Sequence, residues 1–332
     1  MGPAALHCPQ PTVLASVPGT RLGSGGAWAC GLAALERRTR RVDPGRVRHQ
    51  AWLDQREEAM AMHPTEPVPP RRPITLQESV RSVLLELRDP PGRPGVPTGF
   101  GDLDALTGGL TAGLMWVITG RSGAGKSVLA TDLVRSAALR RGLPTLMVGR
   151  GEGTRQATCR VLAAQARVPL HHLTVGRLDL EDWTRLDAVS ASFNEAPVWM
   201  LAMDQVDPAE LYDVVVKLGE RDRRVGLLVV DDVPVGDEQA GVLRSLAGLA
   251  VEHDLCVVAV AQPEAQFPQQ QIRRFEQFAD VVLTVHRDDQ DDQRSPRAGE
   301  ADFIVSRHRH GPVTTMTVAF QGFYSRFVDL NS

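Results

Sequence analysis

Lysine is almost absent from this 332-residue chain, which holds 37 lysines and arginines together but lysine at positions 126 and 217 alone. The formal net charge of −3 excludes a general electrostatic attraction to nucleic acid or another polyanion. A surface that binds a polyanion must therefore be local, or must be assembled from several subunits.

Cysteine and long apolar runs are also scarce. The four cysteines form no C-x-x-C pair and have no histidines nearby at metal-binding spacing, which argues against structural zinc and predicts a reduced, cytoplasmic protein. No stretch of about 18 apolar residues occurs, so we expect no membrane insertion. The N-terminus lacks a basic region followed by a continuous apolar core, so we also expect no secretion.

One of the two lysines lies in a loop that fits the phosphate-binding pattern G-x-x-x-x-G-K-[ST] in full. The loop follows an apolar segment typical of a buried strand, 114–119, and precedes a segment with helical spacing, 127–141. Its amides would face phosphate oxygens from the positive end of that helix. A glycine-rich turn that only caps the helix is the alternative. The predicted phosphate-binding residues are Gly120, Ser122, Gly123, Ala124, Gly125, Lys126 and Ser127.

The predicted ligands of Mg²⁺ are Ser127 and Asp231. Four aliphatic residues, 227–230, precede Asp231, as is typical of a central parallel strand whose terminal carboxylate holds the water shell of the metal ion. An ordinary carboxylate that caps a strand end is the alternative. Asp232 comes next, and strand alternation predicts that it points to the other face of the sheet.

Four further residues are candidates for catalysis. Gln262 follows a second apolar strand and can sense the γ-phosphate or orient water, although polar residues are common at strand ends. Glu152 lies in a glycine-flanked turn and can act as the general base, or is simply a solvated loop residue. Alternation puts Arg307 and Arg309 on one face of a hairpin, where they can reach a phosphate bound by an adjacent subunit or form a plain charged edge.

Composition divides the chain into three parts. Residues 1–73 are rich in Pro, Gly, Ala and Arg, which predicts a disordered segment that ends in a proline-rich linker. Residues 74–96 begin with a capping-box pattern, Thr75 to Glu78, and predict a short amphipathic helix and a turn. Residues 97–332 alternate between strand-like and helix-like segments, which predicts a mainly parallel sheet with helices on both faces and antiparallel strands at its C-terminal edge. The predicted strands are 114–119, 144–149, 197–202, 226–231, 255–261, 280–285, 301–307 and 314–320, and the predicted helices are 127–141, 154–166, 180–190, 207–221 and 238–252.

These residues together resemble the C-terminal ATPase domain of DnaB-type replicative helicases, an α/β domain of RecA-like fold. The similarity covers residues 75 to 329 and consists of motifs that follow one another in the family's order. Besides the phosphate-binding loop at 120–127, the motifs are 97–104, 107–110, 180–183, Asp231, Gln262, 276–280, 286–288, 307–312, 320–322 and 325–327.

The resemblance implies a homohexameric ring that binds ATP between subunits and single-stranded DNA in its central channel. It implies that Arg307 and Arg309 act in trans on the ATP of a neighbour. In this family a linker helix packs on the neighbouring subunit, which would give the predicted helix after Thr75 its partner. Our leading hypothesis is therefore an ATP-dependent DNA helicase or translocase subunit that requires Mg²⁺.

The sequence departs from the family in four places. A short segment predicted to be disordered, 1–73, stands where the family has a helical N-terminal domain, and a gapless comparison puts the family's catalytic glutamate at Gly151, one residue before Glu152. The segments after Asp231 and Gln262, which carry DNA-facing loops in the family, are shorter here; the second is reduced to 270–274. These departures support an alternative hypothesis, a RecA-like ATP-binding regulator or adaptor without processive unwinding.

Overall fold

A β-sheet with helices on both faces forms the centre of the protein in the computed structural model. The structure describes residues 75–88, 95–220, 224–234, 236, 238–263, 268–290 and 294–330, without the side chains at 82, 83, 86–88 and 268–271. All of them belong to the second of the two units into which the chain divides, residues 73–332. The predicted N-terminal segment, 1–73, lies outside the described residues.

Nine α-helices, two 3₁₀-helices (Asp288–Gln290 and Gly322–Tyr324) and nine strands occur within the described ranges. The helices are α1 (Leu76–Arg88), α2 (Gly101–Thr107), α3 (Lys126–Val134, continued by a π-helical segment, Arg135–Arg140), α4 (Gly153–Ala166), α5 (Leu170–Val175), α6 (Leu180–Asn194), α7 (Pro208–Gly219), α8 (Gln239–His253) and α9 (Pro268–Phe275). The strands are β1 (Met115–Thr119), β2 (Thr145–Arg150), β3 (Val198–Met203), β4 (Leu227–Val233), β5 (Cys256–Ala261), β6 (Val281–His286), β7 (Glu300–His308), β8 (Thr314–Gln321) and β9 (Arg326–Val328).

The strands form one sheet in the order β3-β2-β4-β5-β1-β6-β7-β8-β9. The six strands from β3 to β6 are parallel, whereas β7, β8 and β9 each pair antiparallel with the strand before them. This arrangement confirms the predicted parallel sheet with antiparallel strands at its C-terminal edge. The carboxyl ends of the six parallel strands consequently meet at one edge, where α/β proteins bind ligands.

The alternating side chains of β1 explain how the sheet is covered on both faces. Trp116 and Ile118 are buried in a cluster that includes Leu129 of α3. Met115 and Val117 are buried in a second cluster that includes Leu246 of α8. Every residue of β1 is therefore buried, as expected of a central parallel strand.

The long predicted helices and strands are observed, and their ends differ by a few residues. Three short helices, α2, α5 and α9, and the last strand, β9, were not predicted, because segments of three to eight residues are too short for a clear period. Among the described residues no helix is both long enough and apolar enough to cross a membrane.

The predicted capping box is observed at the start of α1. The Glu78 amide donates to Thr75 Oγ1 (3.2 Å), and the Thr75 amide donates to Glu78 Oε2 (2.8 Å). Leu76 and Leu84 on this helix are 80% and 54% exposed. The single chain therefore leaves apolar side chains of α1 in contact with solvent.

A buried carboxylate on α3 connects this helix to the last strand. Asp132 accepts hydrogen bonds from Arg135 Nη1 (2.6 Å) and from the amide of Phe327 in β9 (2.7 Å). Burial raises the pKa of Asp132 to about 6, although both partners act in the opposite direction. The charged form of this group is thus less favourable in the folded protein than in the unfolded chain.

We predict that Asp132 makes folding less favourable as the pH rises. Its pKa is about 6 in the folded state and roughly 3.9 in an unfolded chain, so the folded state binds the proton more tightly. Relative to Asp132→Asn, the parent should lose roughly 1–3 kcal/mol of unfolding free energy between pH 4 and pH 7. Urea denaturation of both proteins across this range measures the difference. A difference that does not change with pH would contradict the prediction.

Candidate functional site

The glycine-rich loop, 120–127, connects the carboxyl end of β1 to the start of α3, as the sequence predicts. Glycine is required at both ends of the loop. Gly120 has φ 140°, and a Cβ atom there would lie 2.4 Å from the carbonyl oxygen of Val285. Gly125 has φ 107°, and a Cβ atom there would lie 2.7 Å from the ring of Phe327. The neighbouring strands therefore determine the path of the loop.

A cavity of about 390 Å³ opens beside this loop at the carboxyl edge of the sheet. Pockets for small ligands typically have volumes of roughly 300–1,000 Å³. Of the residues predicted to bind or act on a nucleotide, it is lined by Ser122, Gly123, Gly125, Lys126, Ser127, Asp231 and Gln262.

Lys126 is buried within the loop that it belongs to. Its Nζ atom donates hydrogen bonds to the carbonyl oxygens of Gly120 (2.9 Å) and Arg121 (2.8 Å). Burial lowers the pKa of Lys126, and this effect exceeds the opposing attraction of Asp231 and Asp232. A desolvated ammonium group of this kind gains more from an anion than an exposed one would.

A hydrogen bond connects the phosphate-binding loop to β4. Ser127 Oγ donates to Asp231 Oδ1 (2.9 Å). Burial raises the pKa of Asp231, and the hydrogen bond from Ser127 acts against this increase. A hydroxyl and a half-buried carboxylate at this distance are oxygen ligands of the type that Mg²⁺ prefers, with phosphates and water completing its shell. The donor set therefore fits the metal ion that the fold family implies.

Glu152, the predicted general base, does not line the cavity. It is exposed and lies at the N-terminal cap position of α4, where its carbonyl oxygen accepts a hydrogen bond from the Gln156 amide (3.1 Å). Two residues of the same helix, Gln156 and Arg160, line the cavity instead. They were missed, although their spacing of four residues puts them on one helical face.

The prediction that Asp232 points away from Asp231 is wrong. Asp232 has φ 75°, in the left-handed region, and the pairing of β4 with β5 shifts register between Val230 and Val233. This irregularity breaks the strand alternation on which the prediction depended. Both aspartates consequently line the cavity.

Residues from the C-terminal strands cover one side of the phosphate-binding loop. Phe320 lines the cavity, and the Arg287 guanidinium stacks on its ring at 3.7 Å from the centroid. Gln290 Nε2 donates to the carbonyl oxygen of Ser122 (3.0 Å). The contact between Gln290 and Ser122 joins residues 168 positions apart in sequence, so no local pattern predicts it.

Arg307 and Arg309 lie at the opposite, amino edge of the parallel strands. Arg307 Nε donates to the carbonyl oxygen of Ala279 (2.9 Å), and Arg309 forms an ion pair with Asp280 (2.9 Å). The other oxygen of Asp280 accepts a hydrogen bond from the amide of Met115, the first residue of β1 (3.0 Å). The length of β1, roughly 15 Å, separates this edge from the phosphate-binding loop. β7 ends at His308, so Arg309 lies in the following turn.

Comparisons with known proteins identify the family to which these motifs belong. The family model described as "DnaB-like helicase C terminal domain" matches residues 95–329. The chain is 37% identical to the replicative DNA helicase DnaB of Leifsonia xyli subsp. xyli over 259 residues, which cover 71% of this chain and 56% of that protein. It is 26% identical to the DnaB helicase of Geobacillus stearothermophilus over 260 residues, 71% of this chain and 57% of that protein. The chain thus spans just over half the length of these relatives.

Solved structures with low sequence identity show the same fold. A structure of an isolated domain, described as an "ATPase Domain", has a TM-score of 0.69 at 21% identity, covering 78% of this chain and 100% of its own. A DnaB-like replicative helicase, described with its interactions with primase, has a TM-score of 0.66 at 20% identity, covering 86% of this chain and 76% of its own. The predicted RecA-like fold is confirmed. With the match over residues 95–329, these findings show that the chain belongs to the family of proteins with a DnaB-like helicase C-terminal domain.

Proposed function

We propose that this chain is the ATP-hydrolysing subunit of a DnaB-like DNA helicase or translocase, whose copies form a ring on single-stranded DNA in the cytoplasm. The observation that supports the proposal is the position of Arg307 and Arg309, which lie at the edge of the sheet opposite the phosphate-binding loop. The two arginines lie at the far edge of the sheet, hydrogen-bonded to Ala279 and Asp280. A second copy of the chain can supply them to the loop, as in a ring with head-to-tail contacts.

The residues around the cavity suit a nucleoside triphosphate. The loop amides and Lys126 would hold the phosphates. Ser127 and Asp231 would hold Mg²⁺ through their oxygens, and the ion would neutralise charge on the phosphates. Gln262, at the end of β5, lines the same cavity and is exposed, so its amide is available to the γ-phosphate or to water. Arg307 and Arg309 of a neighbour would stabilise the charge that develops on that phosphate.

Support for a ring on DNA comes from exposed side chains as well as from the family. The apolar residues that α1 leaves exposed would be buried on a neighbouring copy, since a helix of this length is marginally stable without packing. Arg273 and Arg274 on α9 are exposed within the segment that carries a DNA-facing loop in the family. Two guanidinium groups there would contribute to local binding of phosphates despite the negative net charge of the chain.

The position of Glu152 favours the second hypothesis, a RecA-like ATP-binding regulator or adaptor. If the predicted base does not reach the nucleotide, the chain can bind ATP and change its partners without rapid hydrolysis. This hypothesis predicts nucleotide-dependent association without strand separation. It also predicts that Glu152→Gln behaves like the parent protein.

ATPase activity with and without single-stranded DNA, measured on protein whose oligomeric size is known, separates the two hypotheses. The helicase hypothesis predicts a ring in solution and hydrolysis stimulated by DNA. A protein that forms no ring and shows no stimulation by DNA would contradict it. Sedimentation velocity with and without ATP provides the size.

The two lysines of the chain provide a matched pair for testing nucleotide binding. Lys126→Ala removes the buried ammonium from the loop, so affinity for ATP should fall about 100-fold, equivalent to about 2.7 kcal/mol. Lys217→Ala removes the other lysine, which is exposed on α7, and should leave affinity unchanged. Titration with a fluorescent ATP analogue measures both. Equal affinity in the two variants would contradict the proposed phosphate site.

Mixing two inactive variants tests whether a neighbour completes the site. Arg309→Ala retains an intact phosphate-binding loop, and Lys126→Ala retains intact arginines. Each alone should lose at least roughly 100-fold in ATPase rate, because Arg309→Ala lacks the charge that would act on the γ-phosphate and Lys126→Ala lacks the charge that would hold it. In a random equal mixture about a quarter of the head-to-tail interfaces combine an intact loop with an intact arginine, so activity should return.

The control is a mixture of Arg309→Ala with the double variant Lys126→Ala/Arg309→Ala, in which no interface has Arg309. That mixture should stay inactive. Equal activity in both mixtures would show that the arginine does not act between copies.

A further inference from the structure

Two adjacent aspartates, Asp231 and Asp232, lie near the end of β4, but the proposed metal site uses only Asp231. Asp231 accepts the hydrogen bond from Ser127. Asp232 follows it, and its side chain is 57% exposed. An ordinary strand would direct Asp232 to the opposite face of the sheet, but the structure directs it into the cavity that holds Lys126 and Ser127.

The backbone at Asp232 is unusual for its residue type. Its φ of 75° lies in the left-handed region, and it coincides with the register shift between β4 and β5. Residues other than glycine adopt this conformation rarely, and such residues concentrate at functional sites. The conformation has a direct consequence, because it brings both adjacent carboxylates to the same cavity.

The sheet order puts Asp232 beside the end of β2. β4 is the neighbour of β2, with Val148 opposite Val230 in the parallel register. The resemblance puts the family's catalytic glutamate immediately after β2, at Gly151, which has no carboxylate. Asp232 approaches Arg150, the last residue of β2, with 3.7 Å between Arg150 Nη1 and Asp232 Oδ2. A carboxylate from β4 thus lies near the carboxyl end of β2.

The other acidic candidates have different surroundings. Glu152 is exposed and does not line the cavity. Asp231 is bonded to Ser127 and suits the metal ion. Among the described residues, Asp232 has one ion-pair contact, to Arg150, which is longer than a hydrogen bond and involves two side chains that are more than half exposed. Its oxygens are therefore accessible to a water molecule in the cavity.

We propose that Asp232 is the general base of ATP hydrolysis in this chain and takes the role that we predicted for Glu152. This inference rests on the proposed function. The oxygen of a water molecule forms a bond to the γ-phosphorus, and the bond from that phosphorus to the β,γ-bridging oxygen breaks. The bridging oxygen leaves with the electron pair as part of ADP. Asp232 accepts the proton that the water loses and later releases it to solvent.

Three substitutions in the full-length chain test the assignment. Asp232→Asn removes the basic oxygen but keeps the shape, and asparagine tolerates the left-handed conformation. Glu152→Gln removes the alternative base. Asp254→Asn is the matched control, because Asp254 is also an aspartate with positive φ (51°), located just before β5 at the opposite edge of the sheet.

We expect Asp232→Asn to lower kcat for ATP hydrolysis at least roughly 100-fold, as is typical for loss of a general base. Its affinity for a fluorescent ATP analogue and its midpoint of thermal unfolding should match those of the parent. Glu152→Gln and Asp254→Asn should retain kcat within about twofold, since neither side chain takes part in the proposed proton transfer.

The possible outcomes separate this inference from the proposed function. If the parent hydrolyses ATP and Asp232→Asn retains its kcat, or if Glu152→Gln loses as much as Asp232→Asn, the assignment to Asp232 is wrong and the ATPase proposal stands. If the parent shows no hydrolysis in any oligomeric state, with or without DNA, the proposed function fails. Loss of nucleotide affinity in Asp232→Asn would also overturn the assignment, since it would indicate a role in binding.

Discussion

The direction of the parallel strands is the constraint on which the site depends. All six parallel strands end at one edge, so the phosphate-binding loop after β1, Asp231 near the end of β4 and Gln262 after β5 meet there. The hairpin with Arg307 and Arg309 is antiparallel to β6 and therefore returns the chain to the other edge. The same topology that assembles the proposed nucleotide cavity keeps Arg307 and Arg309 away from it within one chain, whereas Lys126, Arg150 and Arg160 line it. In this account, self-association is a requirement of the chemistry.

The C-terminal strands stabilise the loop as well as extend the sheet. Phe327 in β9 packs its ring against Gly125, while its amide donates to Asp132 beneath the loop. Phe320 in β8 lines the cavity and stacks on Arg287. Movement of these strands would therefore change the shape of the proposed nucleotide site directly. Because β7 also carries Arg307, the strands β7, β8 and β9 would contribute both to the chain's own proposed site and to the one proposed on its neighbour.

Local sequence patterns predict the parts of this structure in which spacing alone determines geometry. The loop around Lys126, the aliphatic strand before Asp231 and the long helices have such patterns. The position of Asp232 does not, because it depends on a register shift against β5 and on a left-handed φ. Phe320 and Gln290 reach the loop through contacts between distant segments, which leave no periodic signal. The short helices α5 and α9 are stable in their tertiary context and have too few residues to show a period.

The central claim is that two copies of the chain form each nucleotide site. A structure of the assembled protein with Mg²⁺ and a non-hydrolysable ATP analogue tests it most directly. The account predicts that the guanidinium of Arg309 from one copy lies within hydrogen-bonding distance of the γ-phosphate held by Lys126 of the adjacent copy. A γ-phosphate contacted by one chain alone, with Arg309 of every copy remote from any nucleotide, would contradict it.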